Sequence, residues 1–432
     1  MSSTSSPRDI LAKKAEYLLP CVYHFYKDPP VIVRGQDAHL FDSEGKRYLD
    51  CFSGVTVMSA GHSNPDILAA TRAQLNRLQH TTTIYLTEPM VQLAERLAEI
   101  TPGALKRSFF CASGTEANEA AMLLASSVTD RHGFIALSDS LHGRTKWAMS
   151  ATGMKMWRTD SQLLDNVQFA PHAFCQRCPL GKTFPECAYR CVDVVEECIQ
   201  SVGPENLAAL IAEPIQGNGG IVVPPECYWQ RIRKLCDRYG LLLIFDEVQT
   251  AMNRTGRWFA SEHWDVVPDI VTMAKALGNG MPIAVMIATD EIGGAYTKPG
   301  AATFGANPVS CATALAVIDF HEKAALGQRA HERGKQLKEG LQAVAIRSPF
   351  LNNARGKGLM IGVDVVDPSG EPDAERCDWL LESLKDDGFL IGKSGHNRNT
   401  LTFMPPLIVG EKDVASMVNA VCRNVETLTN SV

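Results

Sequence analysis

The stretch Leu241-Leu-Leu-Ile-Phe-Asp246-Glu247-Val248-Gln249 decides the fold: a continuous apolar run that stops at two carboxylates. A short run without alternation reads as a strand buried on both faces, as in a mostly parallel sheet covered by helices. In an open sheet of that kind ligands bind beyond the carboxyl ends of the strands, which puts Asp246 where a binding-site acid belongs. The competing reading is an acid that only caps the helix after it.

Working outward, the pattern recurs at Ser108 to Ala112, Gly133 to Ser138, Leu207 to Ala212, Ile270 to Met273 and Ile283 to Ala288, with helical stretches between. Strands alternating with helices predict an α/β fold with a large, mostly parallel sheet domain over residues 61–327. After Gly327 comes a charged helical pattern, Gln328 to Ala345, and then strand candidates at Leu359 to Val366 and Leu401 to Phe403. This mixture predicts a smaller α+β domain over residues 328–432. Residues 1–60 are expected to join it through strands near Val31 to Val33 and Tyr48 to Phe52, making the small domain discontinuous.

Composition bounds the function. The chain has 432 residues, 45% hydrophobic and 21% charged, the balance of an ordinary globular protein with a large core. Its net charge of −6 offers no broad cationic field, which argues against nucleic acid and for a small-molecule substrate. No apolar run approaches the roughly 20 residues of a membrane span, and the Ser-rich start, Met1 to Asp9, lacks a signal-peptide core. A cytoplasmic protein is expected. The 13 cysteines are an odd number, which favours reduced thiols over a disulfide framework.

Two more segments carry chemistry. Asp269-Ile-Val-Thr-Met-Ala-Lys275-Ala-Leu-Gly278 is a second apolar run, whose first charged residue after Asp269 is a lysine. A desolvated lysine loses proton affinity and becomes a nucleophilic amine able to form a Schiff base, whereas a structural lysine would reach out to solvent. Phe110-Cys-Ala-Ser113-Gly114-Thr115-Glu-Ala-Asn118 is a strand that turns through small residues into an Ala-rich helix. Backbone N–H groups at such a helix start suit a phosphate, and ordinary N-capping by Ser113 or Thr115 is the simpler alternative. A phosphate cradle, a strand-end acid and a strand-end lysine are together the anchor, ring-nitrogen partner and aldehyde-binding amine that pyridoxal 5'-phosphate (PLP) requires.

With His142-Gly-Arg-Thr145, Glu213-Pro-Ile-Gln216 and Thr303-Phe-Gly in the same order, the chain resembles the class III (omega-type) PLP-dependent aminotransferases from about Tyr48 to Pro406. Ala60-Gly-His-Ser-Asn-Pro65 and Tyr85-Leu-Thr-Glu-Pro89 bring it nearest the branch of alanine–glyoxylate aminotransferase 2. The resemblance implies PLP fold type I and ping-pong transfer of an amino group from an amine or amino acid to a keto acid or aldehyde. It further implies Lys275 as the cofactor-bearing amine and proton carrier, and Asp246 on the pyridine nitrogen. Val248 is expected on a ring face, Gln249 near the phenolic oxygen, and Ser113, Gly114 and Thr115 on the phosphate. A homodimer or dimer of dimers is implied, with Thr303 and Tyr85 reaching the site from the neighbouring subunit. Thr56 is expected to line a roomy substrate pocket.

Departures from the pattern bear on the substrate. Leu141 stands where relatives stack an aromatic ring on the cofactor, leaving His142 as a possible replacement face. Thr402 stands where relatives commonly carry an arginine for the substrate carboxylate. Arg398, Lys393 and His396 are the nearest cations that could substitute, and Glu213, which often pairs with that arginine, loses its partner.

Between two α/β elements, an insert over residues 172–192 carries Cys175, Cys178, Cys187 and Cys191, readable as a structural zinc site or as reduced thiols. His62 reads as a hydrogen-bonded turn residue. Two alternatives to the aminotransferase stay open: a PLP-dependent lyase acting on an amino-alcohol phosphate, and a PLP-binding regulator without chemistry.

Overall fold

The computed structural model describes residues 6–430; the first part of the Ser-rich start lies outside them. A seven-stranded sheet dominates. Its order is Leu105–Cys111, Ala284–Thr289, Ile270–Met273, Leu242–Asp246, Leu207–Ala212, Gly133–Leu137 and Val167–Ala170. Only Ala284–Thr289 runs against the others. All residues of Leu207–Ala212 and Ile270–Met273 are buried, the physical reason these segments are unbroken apolar runs. The edge strand Val167–Ala170 has one fully buried residue in four and escaped sequence reading for that reason.

Helices close both faces. Gly114–Thr129 buries an alanine-rich face, and Ala117, Ala121 and Ala125 let it lie close to the sheet. Pro308–Lys323 starts where its chemistry dictates: Asn307 accepts the N–H groups of Val309 and Ser310, and Pro308 fills a position whose missing donor costs nothing.

The remaining strands form two four-stranded sheets. One joins Ile32–Gln36, His39–Asp42 and Arg47–Asp50 to Phe389–Leu390. The other joins Leu351–Lys357, Met360–Val365, Thr400–Phe403 and Gly392–Ser394. A single apolar core links the chain's beginning to its end, with Leu49 and Cys51 packed among Leu337, Leu341, Leu401, Phe403 and Val421. The charged helix expected at Gln328 to Ala345 runs Leu326–Arg347, burying Leu337, Leu341 and Val344 along one stripe.

The insert is mostly turns, with one short helical turn at Cys175–Arg177. Its four thiols are free and half-buried around a cavity of about 20 Å³. Burial first, then repulsion from the neighbouring sulfurs, pushes the Cys191 thiol up to about 12. Among the described residues, no three His, Cys, Asp or Glu side chains are gathered closely enough to hold a metal, so the zinc reading lacks its geometry.

Candidate active site

The carboxyl ends of Leu242–Asp246 and Ile270–Met273 lie side by side, with Asp246 paired to Thr272 in parallel register. Asp246 therefore ends its strand next to the one that delivers Lys275 three residues later. Lys275 enters with a left-handed φ of 46°, turning its chain out of the strand line. Across from both, the N-terminus of Gly114–Thr129 completes a cavity of about 400 Å³.

Asp246, 3% exposed, is held by three donors. Asn118 Nδ2 and His142 Nδ1 reach Oδ2 at 2.7 and 2.8 Å, and the Val248 N–H reaches Oδ1 at 3.1 Å. A carboxylate offers about four lone-pair sites, so one is left for a further donor. The shell is itself fixed: Asn118 Nδ2 also donates to the His142 carbonyl at 2.7 Å, and Thr272 Oγ1 donates to Asn118 Oδ1 at 2.6 Å. With the His142 Nδ1 hydrogen donated to the acid, its Nε2 is buried without a partner beside the cavity. Glu247, the second carboxylate of the motif, turns into the core, where it accepts the N–H groups of Ala260 and Ser261; the capping alternative describes this neighbour and not Asp246.

Glu213, 5% exposed, accepts the N–H of Leu141 and of Gly217, each at 2.9 Å, and no cation among the described residues forms an ion pair with it. Burial pushes its carboxyl up to about 7, partly offset by His142. Burial likewise lowers the Lys275 amine below its usual range, against the pull of Asp246 and Glu213. The site thus holds a buried acid poised near neutrality and an amine that gives up its proton more readily than an exposed lysine.

The phosphate end is a helix start with unspent donors. Ser113 caps it: its Oγ accepts the Glu116 N–H at 3.3 Å and donates to Glu116 Oε2 at 3.0 Å. The N–H groups of Gly114 and Thr115 and the Thr115 hydroxyl take no acceptor among the described residues. At Gly114 a Cβ would sit 2.8 Å from Val248 Cγ1, so glycine is required by the approach of helix and strand end. Gln249 lies over Gly217 and donates to Met404 Sδ at 3.3 Å. A buried acid with one free acceptor site, a desolvated amine and an anion-ready helix terminus around one cavity fit the three ends of PLP.

Ser113, Gly114, Thr115, Leu141 and His142 all line this cavity, as do Glu213, Val248 and Gln249. The cavity also takes in Asn118 and Val57, to which sequence reading gave no role. Asn118 sat in the quoted motif one turn beyond Gly114, the spacing that puts two residues on one helix face. Thr56 is 1% exposed, its hydroxyl donating to the Val55 carbonyl, and it is Val57 that reaches the cavity. Thr402 is fully buried with its hydroxyl unpaired, and Gly392 and the Phe52 ring crowd against it. Lys393, itself buried, is spent in an ion pair with the half-exposed Asp378, and His396 Nδ1 lies 2.9 Å from Asp139 Oδ1. Arg398 is exposed, lies outside the cavity lining of its own chain, and has no carboxylate partner among the described residues. Tyr85, 66% exposed, and Thr303, also exposed, lie outside the cavity of their own chain.

Known proteins agree with this chemistry. The family model described as "Aminotransferase class-III" matches residues 24–425. Alanine–glyoxylate aminotransferase 2 homolog 2, mitochondrial, of Arabidopsis thaliana is 36% identical over 414 residues, covering 95% of this chain and 86% of that one. A leucine/methionine racemase of Thermococcus litoralis is 40% identical over 391 residues, covering 88% and 87%. The omega-transaminase of Pseudomonas jessenii, solved in complex with PMP, superposes with a TM-score of 0.90 at 28% identity, covering 99% of both chains. The amino-alcohol phosphate lyase is not favoured by these relatives. With its fold of PLP-dependent transferase type I and its cofactor PLP, the chain belongs to the class III aminotransferases.

Proposed function

We propose that this aminotransferase is an omega-type enzyme that carries an amino group, by ping-pong exchange, from an amine or amino acid to a keto acid or aldehyde. The observation that carries the reading is the meeting of Lys275, Asp246 and the unspent helix start Gly114–Thr115 on one cavity. The chemistry supplied by the bound cofactor is an aldehyde that condenses with amines and a protonated ring that withdraws electrons. Lys275 Nζ, desolvated and therefore readily neutral, would hold that aldehyde; once displaced by the amine of the substrate, the freed Nζ would carry the substrate α-proton to the cofactor carbon that had borne the aldehyde. Asp246 would hold the proton on the ring nitrogen, with Asn118 and His142 keeping its carboxylate aimed. The Gly114 and Thr115 N–H groups would bind the phosphate, Val248 would pack on one ring face, and Leu141 would give an aliphatic wall in place of the aromatic one the resemblance leads one to expect.

For the substrate we propose Arg398 as the carboxylate reader. Thr402 is sealed and uncharged, while Lys393 and His396 are already engaged by Asp378 and Asp139. Arg398→Ala should raise KM for amino-acid donors about tenfold and leave simple amines within about twofold, read as half-reaction kinetics on the cofactor's visible absorption. Equal effects on both donor types would remove Arg398 from the site.

A second reading, racemisation of an amino acid in the same cavity, is favoured by Glu213, a second group able to carry a proton near neutrality beside Lys275. Loss of optical purity of a single amino acid without any keto acid, abolished in Glu213→Gln, would establish it; retained purity would exclude it.

The proposed assembly is a homodimer with Tyr85 and Thr303 supplied across the interface, each subunit divided into residues 61–327 and a smaller part from 1–60 and 328–432. A cytoplasmic location is supported by 13 free thiols; no described helix is long and apolar enough to cross a membrane.

A further inference from the structure

Between Cys51 and Ser59 the backbone is strained in a run. Ser53, Gly54, Val55 and Thr56 have φ of 53°, 58°, 65° and 64°, one complete left-handed turn. That conformation crowds Cβ against the following carbonyl and suits glycine, yet Val55 and Thr56 are β-branched, the side chains that tolerate it least. Such strain persists where the surroundings over-determine it, and it gathers at functional sites.

The surroundings here are specific. Asp50, 2% exposed, accepts the N–H groups of Phe52 and Ser53 on Oδ1 at 2.9 and 2.7 Å, while its Oδ2 lies 2.7 Å from His62 Nε2. Ser53 Oγ donates to the Met404 carbonyl at 2.7 Å. The Met404 N–H returns to the Cys51 carbonyl at 2.7 Å, and the Leu407 N–H donates to the Ser59 carbonyl at 2.8 Å. The turn is thereby pinned at its entry by a carboxylate and along its length by the segment leaving Thr400–Phe403.

Its two ends deliver side chains to opposite duties. At the entry, the Phe52 ring fills the space a Cβ on Gly392 would need and shuts the unpaired Thr402 hydroxyl away. At the exit, Val57 stands on the cavity wall.

We propose that Asp50, with His62 as its partner, is a positioning residue for substrate selection: it holds the left-handed turn so that Phe52 closes the space above Thr402 and Val57 presents an apolar wall, restricting donors to those whose side group against that wall is apolar and short. This rests on the cavity's being the substrate site of the aminotransferase.

The test compares His62→Ala, His62→Gln and Val57→Ala with the wild-type holoenzyme. Straight-chain amino acids from alanine to norleucine serve as donors, and amide hydrogen exchange over residues 52–58 is the second readout. His62→Ala frees Asp50, so exchange should quicken about tenfold and KM rise at least about fivefold, with kcat and the cofactor's absorption band unchanged. His62→Gln, which can still donate to Asp50, should restore both. Val57→Ala should move the preferred donor to a longer chain without altering exchange. Faster exchange with unchanged KM would overturn the proposal. So would KM, kcat and cofactor content all declining together, the pattern of a residue that only supports the fold. Should the wild-type protein process no donor at all, the aminotransferase substrate reading fails separately, and exchange alone judges the clamp: quickened in His62→Ala and restored in His62→Gln supports it, unchanged rates overturn it.

Discussion

At the scale of single residues, two carboxylates on the same cavity are held by different partners. Asp246 has three donors, while Glu213 has two backbone N–H groups and a desolvated setting that lifts it to about 7. Its folded value lies above the ordinary 4.5, so the folded protein keeps a proton that the unfolded chain loses between about pH 4.5 and 7. Stability should therefore fall as pH rises through that window and stay flat beyond it. Glu213→Gln removes the titration, at a constant cost of about 1 kcal/mol because glutamine accepts only one of the two N–H groups. Denaturant unfolding of cofactor-free protein should show the variant gaining on the wild type between pH 5 and pH 8 by up to about 3 kcal/mol. A gap that does not change with pH would mean that Glu213 titrates normally. Asp246, Lys275 and the Ser113–Thr115 turn were legible because strand ends and helix starts advertise themselves by abrupt changes of residue type, as Phe245 to Asp246 does, whereas Leu141, His142, Glu213, Val248 and Gln249 came only with the family resemblance. Asn118 and Val57 were not legible, since an asparagine inside a helix and a valine after a turn look the same whether they face a cavity or the core.

At the scale of elements, Gly114–Thr129 does two jobs at one terminus, and they can be separated. Ser113 spends its hydroxyl on the cap, whereas Gly114 has no cap function and is kept small by Val248. Ser113→Ala should cost about 1 kcal/mol of stability with a small change in cofactor affinity. Gly114→Ala pushes on Val248, which lines the cavity, and should weaken cofactor binding about tenfold or more, at a stability cost of about 1–3 kcal/mol from the overpacked contact. Thermal unfolding and cofactor titration of both variants check the pair; equal losses in both measurements would mean that cap and cradle are one unit. The central strands were readable because burial on both faces leaves no polar residue to break the run. Val167–Ala170, Gly392–Ser394 and Phe389–Leu390 were not, being short or half-exposed, with pairing set by partners distant in sequence. The left-handed turn Ser53–Thr56 was invisible for a stronger reason: its residues contradict local preference, and partners distant in sequence or outside the turn, Asp50, His62 and Met404 among them, hold it.

At the scale of the whole molecule, one chain presents surface that a soluble monomer has no reason to keep. Ile84, Tyr85 and Leu86 are 78%, 66% and 86% exposed in sequence, and Phe304, next to Thr303, is 62% exposed. Open apolar side chains clustered in this way mark an interaction surface, and in the proposed homodimer a second copy related by a two-fold axis would cover both patches at once. If Thr303 serves the neighbouring site, a site needs Lys275 from one chain and Thr303 from the other. Lys275→Ala should lose at least about 10³ of kcat/KM because no other amine can bind the aldehyde or carry its proton. Thr303→Glu, which sets a negative charge against the phosphate, should likewise empty the site. Co-expressed, the two variants form some dimers in which one site takes both intact residues. For random pairing, half the dimers are mixed with one sound site each, so roughly a quarter of wild-type activity should return. Activity that stays at the level of the separate variants would mean that each chain builds its site alone, and the exposed strip around Tyr85 would then need a different occupant.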